Sequence, residues 1–138
     1  MSKRRFGLVV ANLFAVSLPW VASGAESPVE FSRDVLPILA DNCFHCHGPD
    51  EQHREADLRL DEEASAKQRH DGQAAVVPGH SAASQLYRRV ASTDPDEVMP
   101  PADSQRKLTA DQVRLLQRWI DEGAAWGGHW AYQPLQRP

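Results

Sequence analysis

Beyond its first residue the 138-residue sequence has a single methionine, and it has only two cysteines. Two cysteines are too few for a disulfide framework or for a four-cysteine zinc site. Past the N-terminal Lys3-Arg4-Arg5 no run of basic residues is present, and Asp plus Glu outnumber Lys plus Arg by 19 to 15, a formal net charge of −4. That balance argues against nucleic-acid binding and suits docking to basic partners. No stretch alternates apolar and polar residues convincingly enough to read as a strand, and no internal repeat or low-complexity block occurs. After the N-terminus no segment is apolar enough to cross a membrane. What is left is one domain's length of helix and loop.

The N-terminus reads as an export signal over residues 1–25. Lys3, Arg4 and Arg5 form its positive region, "FGLVVANLFAVSLPWVA" its apolar core, and "VASGA" the small residues of a cleavage site. The apolar core is shorter than the roughly 20 residues that span a bilayer. The expected product is therefore exported, to a periplasm or an equivalent extracytoplasmic compartment, with no stable membrane insertion after cleavage. Losing three of the 15 basic residues and no acidic one leaves twelve against nineteen, a net of −7.

Four helices are expected. The first runs from about Ser32 to Cys43, with Phe31, Val35, Ile38 and Leu39 on one face and Ser32 or Asp34 as its cap. The second is the short Cys43–His47 segment, ended by Gly48-Pro49. The third covers about Ser81 to Val90, after the turn "VPGH". The fourth opens on the capping box Thr109-Ala110-Asp111-Gln112, carries Val113, Leu116, Trp119 and Ile120 as an apolar stripe, and stops at Gly123. Between them lie long irregular stretches, Gly48–Gly79 and Ala91–Lys107. That much loop in so small a domain asks for extra glue, and a large buried cofactor would supply the missing core.

Both cysteines and two of the six histidines lie in "CFHCH". A closed zinc site needs four ligands, and His47 abuts Cys46, so the two cannot easily reach one tetrahedral ion. A redox disulfide of the thioredoxin kind follows a strand, whereas the segment before Cys43 looks helical. Cys-x-x-Cys-His is also the attachment signature for covalent haem, in which each thiol forms a thioether. At 100° per residue, Cys43, Cys46 and His47 share one helix face, and His45 falls on the opposite side. His47 is then the axial imidazole and His45 an exposed spacer.

The iron's other side ordinarily takes Met or a second His. Met99 sits in the polar loop "DPDEVMPP", which Pro100 and Pro101 stiffen. It is the first candidate; His53, His70, His80 and His129 are its competitors, with His80 foremost.

At these residues the chain resembles class I cytochrome c, and more closely the planctomycete-type cytochrome c domain. The resemblance rests on "FSRDVLPILADNCFHCHGPD", "LRLD", "VVPG", "STDPDEVMPP", "KLTADQVRLLQRWIDEGA" and "HWAYQP". It implies an all-α fold of small helices with long loops around one covalently attached haem c. Cys43 and Cys46 would be the thioether positions, and His47 and Met99 the axial ligands. The implied division is a signal peptide over 1–25, a cytochrome c domain over 26–126, and a tail or linker over 127–138. Such domains usually head longer exported proteins, the tail leading into further domains. The implied role is a one-electron carrier between redox partner proteins, not an enzyme. A haem-based sensor or peroxidase-like domain with a labile distal site, or a haem-stabilised interaction module, is the alternative. One departure is Asp57, where the family usually has Gly before "LRLD".

Overall fold

In a computed structural model, residues 26–127 are described. The expected signal, residues 1–25, and all but the first residue of the expected tail, 127–138, lie outside the described residues, as does His129. Helix α1 opens as a wide π-helical turn over Phe31–Val35 and continues as α-helix over Leu36–Asn42. Helix α2 is Phe44–His47, α3 is Glu63–Lys67, α4 is Gln85–Val90 and α5 is Ala110–Asp121. Strands β1 (Arg69–His70) and β2 (Gln73–Ala74) pair antiparallel, Arg69 opposite Ala74. Single 3-10 turns cover Ser81–Ala83 and Ala102–Ser104. The described chain is thus mainly helical, with a minimal hairpin.

Helix α5 forms for the reasons visible in its sequence. The Thr109 hydroxyl accepts the Gln112 N–H, and the Gln112 side chain accepts the Thr109 N–H. Such a cap contributes about 1 kcal/mol. The helix ends where Gly123 takes a φ of +106°, a left-handed conformation that glycine adopts without strain. Its buried face is Leu116, Trp119 and Ile120, with Val113 half-buried. The expected face of α1 is buried too: Phe31, Val35, Ile38 and Leu39. The two faces meet in one apolar cluster, and Trp126 completes it. The Phe31 and Trp119 ring centroids are 5.7 Å apart, and Trp126 lies 4.7 Å from Phe31 and 5.1 Å from Trp119. Each large side chain fully buried there contributes about 1.5–3 kcal/mol.

The start of α1 differs from the sequence expectation. Neither Ser32 nor Asp34 is the cap; the helix begins after Glu30, and Asp34 reaches back from inside the first turn to accept the Glu30 N–H at 2.9 Å. Pro37 sits in the first turn of the regular α-helix, where no N–H is needed. The expected single helix over Ser81–Val90 is broken at Ser84, whose ψ of 123° is extended. Buried Ser84 uses its hydroxyl to accept the Val77 N–H and to donate to the His80 carbonyl, which outcompetes helix continuation. The stretch Gly48–Gly79 is less irregular than expected, because it contains α3 and the hairpin.

The segment before α1 is stapled to α5. Glu122 accepts the Val29 N–H at 2.8 Å and pairs with Arg118, which also bonds Glu26 and the Ser27 carbonyl. The Val29 bond, then Arg118, holds the Glu122 carboxyl below its ordinary value. A carboxylate depressed in the folded state stabilises the fold above its unfolded pKa and loses that contribution as pH falls through the folded value. Stability measured by urea unfolding should therefore drop as pH falls through and below the ordinary glutamate range, and Glu122→Gln should make that drop shallower.

Candidate haem site

Helix α2 is only four residues long and cannot satisfy its own ends. The neighbouring loop does so. The Glu55 N–H donates to the Cys46 carbonyl at 2.7 Å, and the Leu60 N–H to the His47 carbonyl at 2.8 Å. Arg54, largely buried, donates to the Gly48 and Pro49 carbonyls. Gly48 must be glycine here: a Cβ would lie 2.3 Å from the Phe44 carbonyl oxygen. Residues 48–60 are thereby folded back along α2, and Leu58 and Leu60 are carried to its side.

The result is a cavity of about 590 Å³, in the range of small-molecule and cofactor sites. Leu58, Leu60, Ala75, Leu86 and Val90 supply apolar walls from three separate segments. Cys43, Cys46 and His47 border the cavity from α2 and its cap, and Met99, Pro100 and Pro101 border it from the loop after α4. Residues more than fifty positions apart in the sequence therefore face one space. The Met99–Pro100 peptide is cis, and the Met99 N–H donates to the Arg89 carbonyl at the end of α4.

The chemistry of each group follows from its surroundings. Both cysteines are free thiols, Cys43 buried and Cys46 half-buried. Burial, with a smaller contribution from neighbouring Cys46, pushes the Cys43 thiol up to about 11. His47 Nδ1 lies 3.3 Å from the Glu55 carbonyl oxygen. A carbonyl only accepts, so Nδ1 carries the proton and Nε2 keeps its free electron pair for a metal. Burial, aided by the Arg89 charge, lowers the His47 pKa against the opposing pull of Glu55. The ring is therefore neutral near pH 7, the form that ligates iron.

His45 is exposed and stacks on His53, ring centroids 5.4 Å apart, while His53 Nδ1 bonds Asp50. His45 nevertheless touches the cavity rim. His53, His70 and His80 do not border the cavity. Among the described residues, no three His, Cys, Asp or Glu side chains converge on a common point that could hold a metal ion. Sequence reasoning missed Arg89 and Arg106, which also reach the cavity. The missed apolar walls had a faint signal in the apolar–charged–apolar triplet Leu58-Arg59-Leu60.

The residues fit a haem c: two thiols and a neutral imidazole beside an apolar cavity that a thioether also borders. Residues 43–103 are similar to the family model described as Planctomycete cytochrome C. A cytochrome c segment implies a haem-binding electron carrier rather than a catalyst, with haem c as its group, in a family typically found outside the cytoplasm. No curated protein matches, and no solved structure does. The matched segment takes in all four candidate residues, α3, the hairpin and α4, and leaves α1 and α5 outside it.

The departure at Asp57 has a backbone consequence. Asp57 has φ +50° and Ala56 φ +55°, two consecutive left-handed residues without glycine. Asp tolerates this conformation better than most, at a cost of about 1 kcal/mol. Asp57→Gly is expected to raise stability by about 0.5–1 kcal/mol, read as a higher urea midpoint at unchanged slope, with haem uptake unaltered.

Proposed function

We propose that this chain is an exported one-electron carrier. Its fold is a small all-α class I cytochrome c-like arrangement around one haem c. Cys43 and Cys46 hold the haem by two thioethers, and His47 and Met99 are its axial ligands. One observation carries the reading: all four side chains, from two distant parts of the chain, border the same apolar cavity. Haem bound there supplies a couple that takes up and releases one electron.

The protein's own residues set the terms of that couple. The Glu55 carbonyl fixes the His47 tautomer and ring orientation, and makes Nε2 a better donor. The walls from Leu58, Leu60, Leu86 and Val90 exclude water and favour the less charged, reduced form. A thioether opposite the imidazole favours that form further. With both axial positions held by protein, no coordination position remains for a substrate, which separates a carrier from a sensor or peroxidase-like domain. Basic redox partners suit the acidic balance of the chain. Among the described residues no helix is long and apolar enough to cross a membrane.

Protein matured with haem-attachment machinery should keep its haem through denaturing electrophoresis. The Cys43→Ala, Cys46→Ala double variant should release all of it; covalent haem persisting in that variant would sink the reading. Met99→Ala should abolish the weak absorption band of a methionine–ferric iron bond, lower the reduction potential, and open the reduced protein to carbon monoxide. Rapid, tight carbon monoxide binding by the unaltered reduced protein would instead favour the labile-site alternative.

A further inference from the structure

Past Met99 the chain runs through Pro100 and Pro101, turns in the 3-10 segment Ala102–Ser104, and reverses at Gln105, whose φ is +59°. That reversal carries Arg106 back to the cavity, where its Nε donates to the Asp41 carbonyl at 3.1 Å. Asp41 lies in the last turn of α1, two residues before Cys43, and its carbonyl has no acceptor role within so short a helix end. A guanidinium there also complements the negative end of the helix. The strap is tied along its length. The Ser104 N–H and hydroxyl both donate to the Pro101 carbonyl, at 3.0 and 2.6 Å, and the Arg106 N–H donates to the Ser104 hydroxyl at 3.3 Å. At its other end the Met99 N–H is held by the Arg89 carbonyl at 3.1 Å. Arg106 thus fastens the far end of the strap to the last turn of α1, just before Cys43, across 65 positions of sequence.

Resting on the reading of Met99 as an axial ligand, we infer that Arg106 is a positioning residue: it latches the 99–106 strap to α1 and so holds Met99 in place over the cavity. Met99 leaves and returns with the strap, so the latch sets the fraction of molecules in which the sixth position is open. An external ligand binds only that fraction, and its apparent affinity rises in proportion to it.

The test is imidazole titration of the ferric holoprotein, followed at the methionine–iron band. Arg106→Ala should bind imidazole about tenfold more tightly, the equivalent of one charge-assisted hydrogen bond. Arg106→Lys, which keeps the charge and a donor, should fall between that variant and the original. Ser104→Ala, which loosens the strap while leaving Arg106 in place, should shift affinity the same way by a smaller factor, and it carries the test if Arg106→Ala does not fold. Arg106→Ala and Ser104→Ala binding imidazole like the original, even with a lowered unfolding midpoint, would overturn the latch while the Met99 ligation stands. A band absent from the original protein, and a spectrum unchanged in Met99→Ala, would overturn the ligand assignment and the latch together.

Discussion

Phe31, Val35 and Leu39 on α1 lie against Leu116, Trp119 and Ile120 on α5, and both sides of the cavity are anchored through that contact. Helix α1 ends in Asn42, so its packing fixes where Cys43 begins the attachment helix. Helix α5 holds the turn before α4: the Gly79 N–H donates to the Ile120 carbonyl, and buried Ser81 bonds the Asp121 carboxylate through both its N–H and its hydroxyl. Helix α4 in turn supplies Leu86 and Val90 as cavity wall and the Arg89 carbonyl that holds Met99. The aromatic cluster of Phe31, Trp119 and Trp126 does not touch the cavity, yet it sets the distance between the elements that do.

That division of labour explains which parts were legible in the sequence. The faces of α1 and α5 obey a 3.6-residue period because each packs against one apolar partner, so periodicity reports them faithfully. The capping box at Thr109 and the stop at Gly123 are local signals with local causes. The break at Ser84 is different: it depends on Val77 and His80, which the pattern of residues 81–90 does not contain. The same holds for 48–60, whose shape comes from bonds to the Cys46 and His47 carbonyls, and for Arg106, whose partner is 65 residues away. Cys-x-x-Cys-His was legible as chemistry, and the shared cavity of Cys43, Cys46 and His47 agrees with the helical spacing. The separation of His45 was less clean, since His45 also reaches the cavity rim.

The loops follow a common rule. A four-residue helix and long connections cannot be stable on their own in water. Here each is satisfied by backbone bonds to a neighbour: Glu55 to Cys46, Leu60 to His47, Val76 to Ala66, Leu86 to Ala75. Those bonds bring Leu60, Leu86 and Val90, all buried, and half-buried Leu58 into the apolar cluster, where the same side chains also line the cavity. The cavity wall is thus continuous with the core, and any group bound there would be held against residues that also stabilise the fold.

The two sides of the cavity differ in how firmly they are built, and the difference follows the chemistry each must do. The attachment side sits on helices, with Cys43 buried and the His47 ring oriented by a carbonyl from a loop that Arg54 ties to Gly48 and Pro49. The Met99 side is a strap of loop and one 3-10 turn with exposed residues at Asp94–Glu97 and Pro101–Asp103. A thioether is a weak ligand, so a strap that had to be ordered at each encounter would pay an entropy comparable to the bond itself. Tethering both ends removes most of that cost in advance. With both ends tethered, Met99 would need little reorganisation to serve as a ligand from this strap.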